Sequence, residues 1–307
     1  MISFFYRESM AIFKELYHFF LHLRLHYQFM LLSGGYLLGG LLSDQMNTFD
    51  FWIQFLNVHL LLFGGATAFN SYWDKDEGPI GGLKNPPKME RWMHPASIAM
   101  MFAGWGWSFL YGWTYFLIFG LSLILFWLYS TPHARWKGDP FLSMVAIAIS
   151  TGFNSVLLGH MAAGGGVHSL LIFAAVGASL ILLSLYPVSQ IYQGEDDLKR
   201  GDRTFYLKHG IKGIQLFFKV SYLTGLIILS ISLMVYYLIP GSILLFTGFV
   251  TYLILNRFIS GLSGLKQEYR MVMSVKFIAS LSFVLFLLAA NIIRHQWLGE
   301  SVLINLF

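Results

Sequence analysis

Cysteine is absent from the 307 residues, which excludes disulfides, thiolate catalysis and any metal centre with Cys ligands. Charge is scarce as well: Asp, Glu, Lys and Arg make up 11% of the chain and hydrophobic residues 56%, whereas soluble domains carry roughly 25% charged residues. A chain so short of charge keeps most of its length out of water. No polar or Pro/Ser-rich linker divides it, so one helical membrane domain is expected rather than two soluble ones. No small-residue cleavage site follows a short apolar run near the N-terminus, so a removable leader is not expected. The formal charge of +5 is spread over short loops between apolar runs. That dispersal points to membrane lipid as the partner and away from nucleic acid.

What is present is a series of long apolar runs. With about 20 residues needed to cross the hydrocarbon, spans are expected near 27–43, 51–69, 96–113, 115–130, 141–162, 167–189, 213–237, 239–256 and 274–293. The run 96–130 is nearly unbroken, and its turn is placed at Tyr111-Gly112-Trp113, where a Gly sits between interfacial aromatics. Residues 1–26, with Arg7, Lys14 and Arg24 among Phe and Tyr, read as an amphipathic helix on the membrane surface. The expected fold is all-α and polytopic, a surface segment at 1–26 and a transmembrane domain at 27–307. With the N-terminus in the cytoplasm, nineteen of the 20 Lys and Arg residues fall on the cytoplasmic side and only Arg294 on the other. That bias supports about nine spans.

The external loops are short and plain, so chemistry is expected on the cytoplasmic face. There the second span runs into Asn70-Ser-Tyr-Trp-Asp74-Lys-Asp76-Glu77, and the sixth into Gln193-Gly-Glu195-Asp196-Asp197-Leu-Lys199-Arg200-Gly-Asp202-Arg203-Thr204. Asn70, Asp74 and Glu77 share one helix face, as do Gln193, Asp196, Asp197 and Arg200. Carboxylates brought together there repel unless a divalent cation lies between them. Oxygen ligands without Cys suit a hard ion such as Mg²⁺, usually held together with substrate phosphate. Lys84, Arg91, Lys199, Arg200 and Arg203 are then candidate partners for the remaining phosphate oxygens.

These two runs, with Tyr129-Ser-Thr-Pro132-x-x-Arg135-x-Lys137 after the fourth span, resemble the UbiA superfamily of intramembrane prenyltransferases over essentially the whole chain. The resemblance implies nine helices in one bundle around a lipid-accessible cavity, an N-terminus inside, and aspartate-rich loops after helices two and six. It implies transfer of an isoprenyl group from an isoprenyl diphosphate to a hydrophobic or aromatic acceptor, with Mg²⁺ as cofactor. Asp74 and Asp197 are then the catalytic aspartates. Asn70, Asp74, Glu77, Gln193, Asp196 and Asp197 are the metal ligands, and Asn70, Lys84, Arg91, Lys199, Arg200 and Arg203 the diphosphate contacts. The chain departs from the family pattern at Ser71 and Gly78, where acids are usual, and at Gln193, where the leading Asp is replaced. The expected location is a bacterial inner membrane with the acidic loops cytoplasmic; the oligomeric state is open.

Other features weigh less. His18, His22 and His26 recur every four residues on the surface segment and are read as interfacial polar residues rather than metal ligands. Arg24 is read as a snorkelling anchor. Gly34, Gly35, Gly39 and Gly40 lie in an apolar span and indicate close helix packing. Asn154 and His59 are polar groups within spans, where a functional role is the default expectation. Tyr72, Trp73, Tyr186 and Tyr192 are candidate faces for a carbocation. A phosphatidyl-type transferase is disfavoured because no Asp-x-x-Asp-Gly-x-x-Ala-Arg run occurs. A transporter or a catalytically silent lipid-binding protein of the same fold is the competing reading, disfavoured because polar groups concentrate on one face rather than along a path through the bilayer.

Overall fold

A computed structural model of the chain describes residues 2–75, 78–299 and 307. Among these no strand occurs, and the architecture is a bundle of helices. Helix α1 (Ile2–Leu23) ends at Arg24, which takes a left-handed conformation (φ 51°) and redirects the chain into α2, residues 25–41. There follow α3 (Thr48–Asp74), α4 (Met93–Ser108), α5 (Trp113–Ser130), α6 (Pro140–Ala162), α7 (Ser169–Leu185), the short α8 (Gly194–Lys199), α9 (Phe205–Tyr236), α10 (Leu238–Ser260) and α11 (Tyr269–Arg294).

Seven helical runs among the described residues are long and apolar enough to cross a membrane: α3, α5, α6, the run Ser169–Lys199 that includes α7 and α8, α9, α10 and α11. Helices α2 and α4 stand where the first and third spans are expected, but α4 has only 16 residues. The turn expected at Gly112 is present. Its φ of 97° lies in a region that glycine alone enters freely, and it separates α4 from α5. Helix α6 starts because Asp139 accepts hydrogen bonds from the amides of Phe141 and Leu142 while Pro140 occupies the first turn.

Lipid gives no hydrophobic drive for helices to associate, so close packing and interhelical hydrogen bonds must hold the bundle. At the crossing of α2 and α6, an added Cβ at Gly39 would run into Val156 O, and one at Gly159 into Tyr36 O. Backbone thus meets backbone. Asn154 donates to the Ser122 hydroxyl at 2.8 Å and to Ile118 O at 3.3 Å, joining α6 to α5. Its role is interhelical. His59 hydrogen-bonds Phe55 O at 2.8 Å and is packed among the rings of Phe29, Tyr36, Phe55 and Phe63.

Helix α1 carries an exposed apolar stripe, Met10, Phe13, Tyr17 and Phe20, at helical spacing. Its other side grips the segment 80–92. His22 Nε2 donates to Pro87 O at 2.7 Å, and His26 Nε2 approaches Gly82 O at 3.1 Å. Trp92 Nε1 donates to Glu15 Oε2 at 2.8 Å. Burial holds His22 down at about 4, the hydrogen bond to Pro87 opposing. Two of the three histidines read as interfacial, His22 on α1 and His26 at the start of α2, therefore hold this loop.

Candidate functional site

The ends of α3, α5 and the Ser169–Lys199 run, with α2, the middle of α6 and the first half of α11, surround a cavity of about 310 Å³, a size suited to a small lipophilic ligand. Asn70, Asp74, Gln193, Asp197 and Arg200 all line it. Two acidic loops more than a hundred residues apart therefore share one chamber. At the first, Asn70 Nδ2 donates to Asp74 Oδ2 at 2.8 Å across one helical turn. At the second, Arg200 Nη2 donates to Asp197 Oδ1 at 2.6 Å.

The loop between α5 and α6 joins the two. Lys137, itself 8% exposed, pairs with Asp74 and reaches Asn70 Oδ1 at 3.4 Å. The Ser130 hydroxyl donates to the same amide oxygen at 3.0 Å. Two residues before Lys137, Arg135 forks onto Asp202 with bonds of 2.7 and 3.0 Å, while Arg200 Nε lies 3.5 Å from Asp202 Oδ2. The Arg203 amide donates to Gly138 O at 2.7 Å. Charges in such enclosure are stable only when paired, and the alternation of Lys137, Asp74, Arg200, Asp197, Asp202 and Arg135 meets that condition. Burial draws the Lys137 ammonium down to about 7, with Arg200 adding and the Asp202 and Asp197 carboxylates opposing. Arg24, Lys75 and Arg135 bend their backbones into left-handed conformations beside this network. Such strain in non-glycine residues collects where a surrounding structure dictates side-chain aim.

Below the charged mouth the walls are apolar and aromatic: Leu31, Phe63, Phe126, Ala178, Leu182 and Phe283. Tyr129 and Tyr186 line the chamber with their hydroxyls 3.1 Å apart, and Tyr192 lines it too. Tyr72 and Trp73 do not; they pack around the His94 ring. Three π-helical stretches, Gln28–Leu32, Asn57–Gly64 and Ala148–Phe153, each place residues on the wall. Such bulges turn side chains that a regular ladder would aim elsewhere.

A model of the UbiA prenyltransferase family matches residues 32–281. The chain belongs to that family. Among solved structures it is similar to a UbiA homolog from Archaeoglobus fulgidus bound to GPP and Mg²⁺. That match has a TM-score of 0.69 at 15% identity, over 89% of this chain and 99% of the other. The same homolog bound to DMAPP and Mg²⁺ matches with a TM-score of 0.68 at 15% identity, over 89% and 98%. A structure of digeranylgeranylglyceryl phosphate synthase in membranes matches with a TM-score of 0.63 at 17% identity, over 91% and 99%. Curated proteins give no sequence match.

In this UbiA family member the expected site residues divide. Asn70, Asp74, Gln193, Asp197 and Arg200 face the chamber. Asp196 is half-buried beside Lys199 at 3.9 Å and does not line it. Lys84, Arg91, Lys199 and Arg203 are exposed, outside the chamber wall. Glu77, expected as a ligand, lies outside the described residues. Ser71, where the family usually has an acid, accepts a hydrogen bond from Arg24 Nη2 at 2.7 Å. Arg24 lines the chamber rather than anchoring in the lipid surface. Lys137, Arg135, Asp202 and Lys276 were not singled out as site residues. For Lys137 and Arg135 the signal was available, since both stand in the Tyr129–Lys137 run that carries the resemblance.

Proposed function

We propose that the chain is a Mg²⁺-dependent intramembrane prenyltransferase that moves an isoprenyl group from a prenyl diphosphate to a hydrophobic or aromatic acceptor. The observation that carries this reading is the meeting of both acidic loops and the Lys137 loop on one chamber with apolar walls. The topology that goes with it has nine spans, α2 and α4 included, with the N-terminus and the acidic loops in the cytoplasm.

The donor set suits the ion. No group of three or more acidic or His side chains gathers among the described residues, but Mg²⁺ commonly takes one or two carboxylates and completes its shell with waters and substrate phosphate. Asp74 and Asp197, with the amide oxygens of Asn70 and Gln193, would hold it. Bound with the diphosphate, the ion neutralises charge that develops on the leaving group. Lys137 and Arg200 supply the protein's own charge to the phosphate oxygens. Lys84, Arg91, Lys199 and Arg203, exposed around the mouth, draw the donor in from solution.

The C1–O bond of the donor breaks and its electron pair leaves with pyrophosphate. An allylic cation remains, and the acceptor's electron pair forms the new bond to C1 while the acceptor gives up a proton. The apolar walls keep water from the cation. Tyr129, Tyr186 and Tyr192 present ring faces worth about 0.5–2 kcal/mol each. Structures of homologs with GPP or DMAPP and Mg²⁺ support this substrate class.

The test is incubation of the purified protein with Mg²⁺, labelled prenyl diphosphates of several lengths and a panel of acceptors. Pyrophosphate release that disappears with EDTA and in Asp74→Asn is the expected result. Tight binding of prenyl diphosphate with no transfer to any acceptor would favour the silent lipid-binding reading.

A further inference from the structure

Helix α1 lies before residue 32, where the match to the family begins, and its two faces do different things. One face clamps the segment that follows the first acidic motif. Trp92 donates to Glu15 and packs its ring 5.3 Å from that of Phe19, while His22 donates to Pro87 O. At the junction with α2, Arg24 Nη1 donates to Gly81 O at 3.3 Å and His26 reaches Gly82 O. The clamped segment opens with a tight turn, in which Ile80 and Leu83 exchange two backbone hydrogen bonds of 2.9 Å. From α11, the Tyr269 hydroxyl donates to Ile80 O at 3.2 Å. Ile80 and Gly81 belong to the chamber wall. The clamp therefore fixes one side of the chamber's mouth.

The other face of α1 is open. Met10, Phe13, Tyr17 and Phe20 recur at helical spacing, each more than half exposed. Helix α1 joins the bundle at the end of α3 that carries Asp74, the Thr67 hydroxyl donating to His22 O and Leu23 O at 3.2 Å. The left-handed turn at Arg24 takes α1 out of line with α2. Around the stripe the charge has one prevailing sign. Lys14, Lys84, Lys88 and Arg91 are exposed, and among the described side chains of α1 and 80–92 the acids are Glu15 and Glu90. Glu15 is already bonded to Trp92. An apolar stripe beside surplus cations is complementary to an anionic leaflet: acyl chains take the rings, and phosphates take the ammonium and guanidinium groups.

We infer that α1 is a strap that binds the anionic phospholipid surface beside the chamber's mouth and, seated there, holds segment 80–92 against the chamber. Lipid charge is thereby coupled to the order of a loop in the chamber wall. This role is separate from prenyl transfer and does not depend on what the chamber holds.

The test uses the full chain in nanodiscs of phosphatidylcholine alone and of phosphatidylcholine with phosphatidylglycerol. Hydrogen exchange of residues 81–92 is followed in both. An environment-sensitive dye on Phe13→Cys, in a chain with no cysteine of its own, reports where the stripe lies. In the anionic discs exchange is expected to slow by at least about tenfold, the scale for two or three cations near an anionic surface. The dye there becomes shielded from acrylamide. High salt erases the difference in the wild type, because the attraction is screened. Lys14→Gln combined with Lys88→Gln brings the ratio between the discs towards one. Equal exchange in the two discs would overturn the strap, as would a difference that survives high salt or a dye equally open to acrylamide in both. A slowing shared evenly by α9 and α10 would overturn it as well, being a general effect of the bilayer.

Discussion

Lys137 sits at the junction of the charged network, against Asp74 and within reach of Asn70. A charge-assisted hydrogen bond is worth about 1.5–3 kcal/mol, which is about 10- to 150-fold in affinity. Lys137→Met is therefore expected to weaken prenyl diphosphate binding by at least about tenfold. Lys84→Ala and Arg91→Ala, at exposed positions, change it by less than about threefold at physiological salt, where exposed charges are screened. Equilibrium binding of a labelled donor to the three variants checks the contrast, and equal losses in all three would deny Lys137 its special place. Asp74 and Asp197 were legible in sequence because acids recurring at helical spacing after an apolar run stand out locally. The Lys137–Asp74 contact spans 63 residues and leaves no local pattern. Lys84 and Arg91 misled for the converse reason: they are near the acidic motif in sequence, but the 80–92 segment turns them to solvent while α1 grips its backbone.

At the scale of elements, the crossing of α2 and α6 depends on two glycines facing the partner backbone. Gly159→Ala forces these helices apart, at a cost of about 1–3 kcal/mol for overpacking, and lowers the unfolding temperature in detergent by several degrees. Gly106→Ala, with nothing within 4 Å of the added Cβ, is expected to cause no loss. Equal melting of the two variants would refute the packing account. The α1 clamp carries a pH dependence. His22 is lowered from 6.5 to about 4 by burial, so the fold favours the neutral ring. Its contribution is complete above about 6.5 and drains as pH falls towards 4. Hydrogen exchange at residues 81–92, corrected for intrinsic rate, should rise over that window, and His22→Gln should abolish the rise. Exchange independent of pH in the wild type would remove His22 from the clamp. The sequence showed an amphipathic α1 through its spacing, but not the clamp, because nothing local announces which loop a helix will hold.

For the whole molecule, the long helices were readable from hydropathy, and the break at Gly112 from its neighbours. Helices α2 and α4 are the shortest of the expected spans, with 17 and 16 residues. The absence of cysteine makes their topology directly testable. Single cysteines at Gln45, Gly166 and Leu298 should react with an impermeant maleimide from outside sealed cells, and those at Lys84, Gly201 and Ser263 only after lysis. A bundle in which α2 and α4 do not cross would exchange the sides of Gln45 and Lys84 and leave the other four positions as they are. The chamber's meaning rests on both acidic loops acting on one ligand. Calorimetric titration of prenyl thiolodiphosphate into wild type, Asp74→Asn, Asp197→Asn and the double variant, with and without Mg²⁺, addresses that most directly. The expected result is Mg²⁺-dependent binding in wild type, lost in either single variant, with no additive loss in the double. Binding unchanged in both single variants, or losses that add as independent sites, would contradict it.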